Sequence, residues 1–341
     1  MEPGGRWREL LDQRLAEAVA DLGAVPGVRG LIVCGSIGRG RPWPLSDIDL
    51  VPIYAGSFEP AGEVKRRQAL LIDWWASSGR AQTLDVGWLA FTDREVREVT
   101  AGGPAEAAAR MPDLRWLHGT DKAYGGRAAA DPDGLTRAFL DWLDRVRFHP
   151  LVVAARVRLW WRQAVDARGD AAAALAEQDP ARATSRLRDA AGALRLVLIE
   201  GWQEQSSSMG RVWTRFERMA DRRGLRDLAG RLAVLADADP QTVAARVGLA
   251  PVWLRERIDL AAAARRLVGE DVTSDQNARD QLLAFATHIP RHRPDQAGPW
   301  MAGEPEPDLP ASLAELDQLM AEVAQLVAGL GPDLLGPDPG T

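Results

Sequence analysis

Apolar residues recur at helical spacing near the start of the chain. Trp7, Leu10, Leu11, Leu15, Ala18, Val19 and Leu22 share one face, and Gly23 offers a stop. The pattern then changes. Residues 28–34 form a short β-rich run into glycine and residues 47–54 a second; Gly35, Gly38, Gly40, Pro42 and Pro44 between them predict a loop or tight turn. A helix is expected over 63–75, a third strand over 83–91 and a fourth at 114–118, with the mixture ending near Gly125 and Gly126. Residues 135–148, 151–168, 181–202 and 212–236 are long, rich in Ala, Leu and Arg, and free of internal proline. They predict helices packed as a bundle. Pro240 and Pro251 punctuate shorter helices up to about Val268. The six prolines of 290–310 read as a linker, and Leu313, Leu316, Leu319, Val323 and Leu326 mark a last amphipathic helix.

The expected fold class is therefore α+β. A core over 1–128, with a small mixed sheet and flanking helices, precedes an all-α bundle over 129–290. Residues 291–341 supply a Pro-rich linker, a terminal helix and an acidic tail. The length, 341 residues, also favours more than one domain.

Composition narrows the setting. Apolar residues make up 46% and charged residues 26%, as in an ordinary globular protein. No apolar run is long enough for a membrane span, and the N-terminal residues lack a signal-peptide pattern. The single cysteine, Cys34, cannot form an internal disulfide, which suits a reducing cytoplasm; Cys34 itself reads as a small buried strand residue. The net charge of −6 is uneven: nine acidic residues and no Lys or Arg lie beyond Pro294, leaving the body slightly basic. That balance suits a small polyanionic ligand and is too weak for a nucleic-acid face. Only Lys65 and Lys122 are lysines.

The chemistry concentrates between residues 31 and 50. A strand running into a glycine turn presents backbone N–H groups that nothing shields, a nest suited to phosphate oxygens. Gly35 opens that turn, Ser36 adds a hydroxyl, and Arg39 a fork of donors. Asp47 and Asp49 alternate along the next strand and project to one face, while Ile48 and Leu50 face a core. Two carboxylates beside a phosphate nest make a site for Mg²⁺ bridging protein and triphosphate. The two commoner glycine loops fail here. A Walker loop needs a lysine at the turn, and a dinucleotide fingerprint needs Gly-x-Gly-x-x-Gly opening a helix.

Gly35-Ser36, the ten residues to Asp47, and Ser46-Asp47-Ile48-Asp49-Leu50 together resemble the signature of the DNA polymerase beta-type nucleotidyltransferase superfamily. The resemblance is strong over 28–54 and weaker to about 125, and the spacing is that of its small-molecule branch. It implies that Asp47 and Asp49 bind two catalytic Mg²⁺ ions and that a third carboxylate from a later strand completes the site. Asp85 matches that role, with Leu84, Val86 and Trp88 expected as the buried face of its strand; Asp73 and Asp93 are weaker candidates. Gly35, Ser36, Arg39 and Ser46 would hold the nucleoside triphosphate. Asp85 would also be placed to take the proton of the attacking hydroxyl. The layout of core and bundle resembles the kanamycin- and streptomycin-type aminoglycoside nucleotidyltransferases, including the stretch 181–219 with its Ser206–Ser208 turn. The family's helical-domain base and its triphosphate lysine have no evident match; Glu200, Asp141, Asp144, Arg186 and Arg211 are the available substitutes.

Other residues read more plainly. His288 and His292 are four apart, but Pro290 is expected to break the helix that a zinc pair would need. His118 and Asp121 could line a nucleotide pocket, and Trp43 is the tryptophan nearest the signature, with packing its ordinary role. The implied activity is Mg²⁺-dependent transfer of a nucleoside monophosphate, AMP from ATP or another nucleotide, to a small hydroxylated, aminoglycoside-like acceptor or other natural product. Two alternatives stand beside it: protein nucleotidylation of the toxin–antitoxin type, and a non-catalytic nucleotide-binding module. The last helix leaves open a homodimer or docking on its own bundle.

Overall fold

Leu11, Leu15, Ala18 and Leu22 recur a turn apart and form the buried stripe of helix α1 (Arg6–Gly23). The structure, a computed structural model, describes residues 6–205, 209–301, 308–331 and 334–335. The Ser206–Ser208 turn, the centre of the Pro-rich linker and the end of the acidic tail lie outside these residues. The chain divides into two compact units, Met1–Val152 and Val153–Thr341.

In the first unit, among the described residues, five strands form one mixed sheet in the order β3-β2-β1-β5, with β4 also on β2. Strand β1 (Val28–Val33) is antiparallel to β2 (Ile48–Tyr54), pairing Val33 with Leu50. Helix α2 (Gly35–Gly38) is a single turn between them, within the stretch where the glycines and prolines predict a loop or tight turn. Helix α3 (Ala61–Ser77) packs on α1, and the Trp75 indole N–H donates to Glu17 at 2.7 Å.

The strand expected over 83–91 is two short pieces on one edge of β2, both parallel to it. β3 (Leu84–Asp85) pairs with Ile48 and Asp49, and β4 (Phe91–Thr92) with Ile53 and Tyr54. Leu84 and Val86 are buried as the alternation requires, but the chain leaves the edge at Gly87, and Trp88 is 62% exposed. Thr92 then caps α4 (Asp93–Ala109) in a capping box with Glu95; the helix kinks at Gly103, ahead of Pro104.

The expected strand at 114–118 is instead the start of helix α5 (Leu114–Ala123). Asp113 caps it, accepting from the N–H groups of Arg115 at 2.9 Å and Trp116 at 3.3 Å. Trp116, Leu117, Thr120 and Ala123 are its buried face. A short run of bulky residues fits either period, and here the cap and the i, i+4 spacing decide. Strand β5 (Arg127–Ala130) follows Gly126 and pairs antiparallel with β1, so the mixed part of the chain runs past the glycine pair. Helix α6 (Leu135–Val146), read from the sequence as part of the bundle, packs on β1, β5 and α4 and belongs to this first unit.

The second unit begins within the first turn of α7 (Pro150–Ala176). Helix α8 (Pro180–Gly201) buries Leu187, Leu194, Val197 and Leu198. The single helix expected over 212–236 is two, α9 (Val212–Asp221) and α10 (Arg226–Leu235), because Gly224 turns the chain with φ +71°. Short α11 (Pro240–Ala244) and longer α12 (Val252–Leu267) both pack on α13 (Ser274–His292). Helix α13 continues through Pro290, against the expected break, and the linker then places Trp300 in a satellite core with Leu254, Leu282 and Ile289. Helix α14 (Leu309–Leu330) lays Leu316, Leu319, Val323 and Val327 on α8 and α10 of the same chain. Its apolar face is thus covered within its own unit.

Candidate active site

At the end of β1 the backbone turns directly into α2. Gly35 has φ +62°, and a β-carbon there would lie 2.0 Å from Asp49 Oδ2. Only glycine meets both demands, so the Asp49 carboxylate rests against bare backbone. A β-carbon on Gly38 would come within 2.2 Å of the Val33 carbonyl oxygen, and one on Gly126 within 2.8 Å. The turn is thereby pressed onto the end of β1. The Cys34 N–H donates to the Asp49 carbonyl at 2.9 Å, tying the turn to β2. Cys34 is fully buried and its thiol is pushed up to about 12 by burial, as suits a packing residue.

Ser36 and Ser46, both phosphate candidates from the sequence, meet each other: their hydroxyl oxygens are 2.7 Å apart. The Trp43 N–H donates to Ser46 Oγ at 2.9 Å, and Gln82 Nε2 donates to the Ser46 carbonyl at 2.8 Å. Ser46 is buried, so it holds the 36–46 loop closed, while half-buried Ser36 lies in the first turn of α2. Trp43 is buried in the same loop and acts as packing. Arg39 is half-buried, with its stem running beside Gly125. Burial lowers its guanidinium from the ordinary value, against the pull of Cys34, Asp49 and Asp121.

Two of the three acids meet through strand register. Asp49 and Asp85 are direct partners in the parallel β2–β3 pair, which puts both side chains on one face, about 5 Å apart at Cβ. Asp47 precedes β2 and keeps an exposed edge, while Ile48 and Leu50 are fully buried. Lys122, from α5, closes the cluster: its Nζ lies 3.0 Å from Asp49 Oδ1 and donates to Asp85 Oδ2. Desolvation, then the Asp49 charge, push the Asp47 carboxyl up to about 6. Asp47 is exposed, and the neighbouring Asp49 carboxylate repels its charge. Burial would lower the Lys122 ammonium, but Asp49 and Asp85 outweigh it and hold the group above its ordinary value.

Among the described residues no three His, Cys, Asp or Glu side chains are grouped as a ready metal cage. The Asp49–Asp85 pair offers carboxylate oxygens, the donor type that hard divalent cations take. The Lys122 ammonium supplies in their midst the positive charge that such a set demands.

Lys122 escaped the sequence reading because residues 114–118 looked like a strand. On a helix, His118, Asp121 and Lys122 share a face, and that spacing, together with the scarcity of lysine, was the available signal. Asp121 is engaged by Arg147 at 2.8 Å. Asp141 and Asp144 are exposed on α6, where burial and Asp141 raise the Asp144 carboxyl. Of the substitutes in the second unit, Glu200 is buried against Arg156 at 2.8 Å, Arg211 pairs with Glu270, and Arg186 lies 3.0 Å from Asp189. Those pairings are structural. Asp73 lies on α3, and Asp93 accepts from the Gly56 N–H at 2.9 Å, so neither joins the cluster.

No family model, curated protein or solved structure matches the chain. The functional reading therefore rests on the residues and their geometry.

Proposed function

We propose that the first unit is a nucleotidyltransferase core, moving a nucleoside monophosphate from a metal–nucleoside triphosphate, ATP in the leading case, to a hydroxyl of a small molecule. The observation that carries this reading is the pairing of Asp49 with Asp85 beside the Gly35 turn, with Asp47 two residues away. Three carboxylates next to an open backbone turn suit a metal-bridged triphosphate better than they suit a surface loop.

Asp47, Asp49 and Asp85 would hold two Mg²⁺ ions, which supply charge neutralisation of the phosphates and of the attacking oxygen. The turn at 35–39 would bind the β- and γ-phosphates through backbone N–H groups and Ser36, with Arg39 as their counter-charge. The acceptor oxygen forms a bond to the α-phosphorus, the bond to the bridging oxygen breaks, and pyrophosphate leaves. Asp85, the more open partner of the Lys122 pair, would take the hydroxyl proton. Lys122 can exchange its carboxylate contacts for phosphate oxygens when metal neutralises the acids. An aminoglycoside-like or other natural product is the leading acceptor class, from the resemblance alone.

The Lys122 bridge also favours a second reading. An ammonium that already neutralises two of the acids suits a module that binds nucleotide without turnover. Pyrophosphate release from each nucleoside triphosphate, with and without an aminoglycoside panel, separates the two. Release that depends on an acceptor and disappears in Asp85→Asn supports the enzyme; tight nucleotide binding with no release from any combination defeats it. Labelled transfer to protein bands in a lysate would move the acceptor to a polypeptide.

A further inference from the structure

Trp88 stands 62% exposed where strand alternation calls for a buried residue. Its surroundings are specific. It follows Asp85 by three positions, and the intervening Gly87 is so open that a β-carbon there would meet only Asp85 Oδ1, at 3.3 Å. The indole makes a T-shaped contact with His118, with centroids 6.2 Å apart and planes at 77°. His118 lies one helical turn before Lys122 on α5. The helix that brings Lys122 to Asp85 therefore also carries the ring against which the exposed Trp88 indole rests.

The sheet order gives that ring a direction. The glycine turn follows β1, Asp47 and Asp49 lie just before and on β2, and Asp85 pairs with Asp49 on β3, so turn and acids run in a row from β1 to β3, and the chain reaches Trp88 three residues after Asp85. A nucleoside triphosphate laid along the row, with its β- and γ-phosphates on the turn and its α-phosphorus at the acids, extends its nucleoside past β3. We propose that Trp88, propped by His118, is the stacking platform for the donor's nucleobase. The proposal rests on the nucleotidyl-transfer reading of the acid cluster and adds to it the residue that receives the base. Stacking uses a π-face that every base has, so this platform accepts purines and pyrimidines and favours the larger purine ring.

Calorimetric titration tests this with two probes, the Mg²⁺ complex of a non-hydrolysable ATP analogue and Mg²⁺–tripolyphosphate, on the full chain and on Trp88→Ala and Trp88→Phe. Trp88→Ala is expected to weaken the nucleotide about tenfold or more, a stacking increment, and to leave tripolyphosphate affinity unchanged. Trp88→Phe should recover most of the loss. Unchanged nucleotide affinity in Trp88→Ala, or equal weakening of both probes, overturns the platform while leaving the donor reading intact. If the unaltered chain binds neither probe, the donor reading itself fails and takes the platform with it.

Discussion

Lys122 Nζ lies 3.0 Å from Asp49 Oδ1, so an ammonium from α5 neutralises a carboxylate of β2 at the centre of the candidate site. The same ammonium reaches Asp85, and both acids are held within its reach by one step of parallel register. A single lysine thus closes a cluster of like charges that would otherwise repel.

Removing it has two separable effects. Lys122→Met leaves Asp49 and Asp85 facing each other uncompensated and should cost about 1–3 kcal/mol in denaturant unfolding without metal. Mn²⁺ binding, followed by calorimetry, should tighten because no ammonium competes for the carboxylates. Pyrophosphate release should fall if the lysine also contacts phosphate. Weaker Mn²⁺ binding in the variant would show that the ammonium does not occupy the cation position.

The acids also set a pH dependence. The Asp47 carboxyl is raised to about 6 in the folded chain from an ordinary 3.8. Between those values the folded state binds more protons than the unfolded one. The stabilisation from this group is full below about pH 4 and is lost as pH rises through 6. Metal binding needs the ionised form, so Mn²⁺ affinity should fall as pH drops below about 6. Asp47→Asn should flatten the Asp47 share of both trends, seen in melts and titrations between pH 4 and 8.

Gly35 is expected to be intolerant. Gly35→Ala puts a side chain at φ +62° and within 2.0 Å of Asp49 Oδ2, which forces the carboxylate to move and costs about 1–3 kcal/mol of backbone strain. A displacement near 1 Å at a reacting centre is worth about a hundredfold in rate. Turnover should therefore fall far more than stability, and equal turnover in the variant would remove Asp49 from the chemistry.

The second unit offers a control. Asp280 accepts from Thr214 at 2.7 Å and Arg265 at 2.9 Å, and it lies 3.3 Å from Arg279, all of them buried. Asp280→Ala takes the nearest carboxylate from buried Arg265, whose other acid, Glu270, is 3.9 Å away, while Arg279 keeps Glu217; the loss should cost about 3–5 kcal/mol. Arg186→Ala, at an exposed pair, should change stability by about 0.5 kcal/mol or less. Chemical denaturation of both variants checks the contrast.

Much of the first unit was legible in the chain. Strands β1 and β2 and helix α1 follow from local periodicity, and Ile48 and Leu50 are buried on either side of Asp49 as alternation along β2 requires, with Asp47 just before the strand. The errors came where a short apolar run fits two periods. Residues 114–118 became a helix through the Asp113 cap, and 83–91 broke into β3 and β4 at Gly87, which put Trp88 into solvent. Pro290 stayed inside α13; proline disfavours a helix interior but does not forbid it when packing supplies the difference.

By itself, then, the sequence determined the glycine turn, the buried alternation of β2 and the succession of a mixed part and a helical part. These depend on neighbours in the chain, on backbone sterics and on side-chain alternation. Only tertiary structure decided that Asp85 stands opposite Asp49, that Lys122 bridges them, and that Trp88 lies open against His118. Those facts join residues dozens of positions apart, and strand register and helix docking, set by burial of the whole core, bring them together.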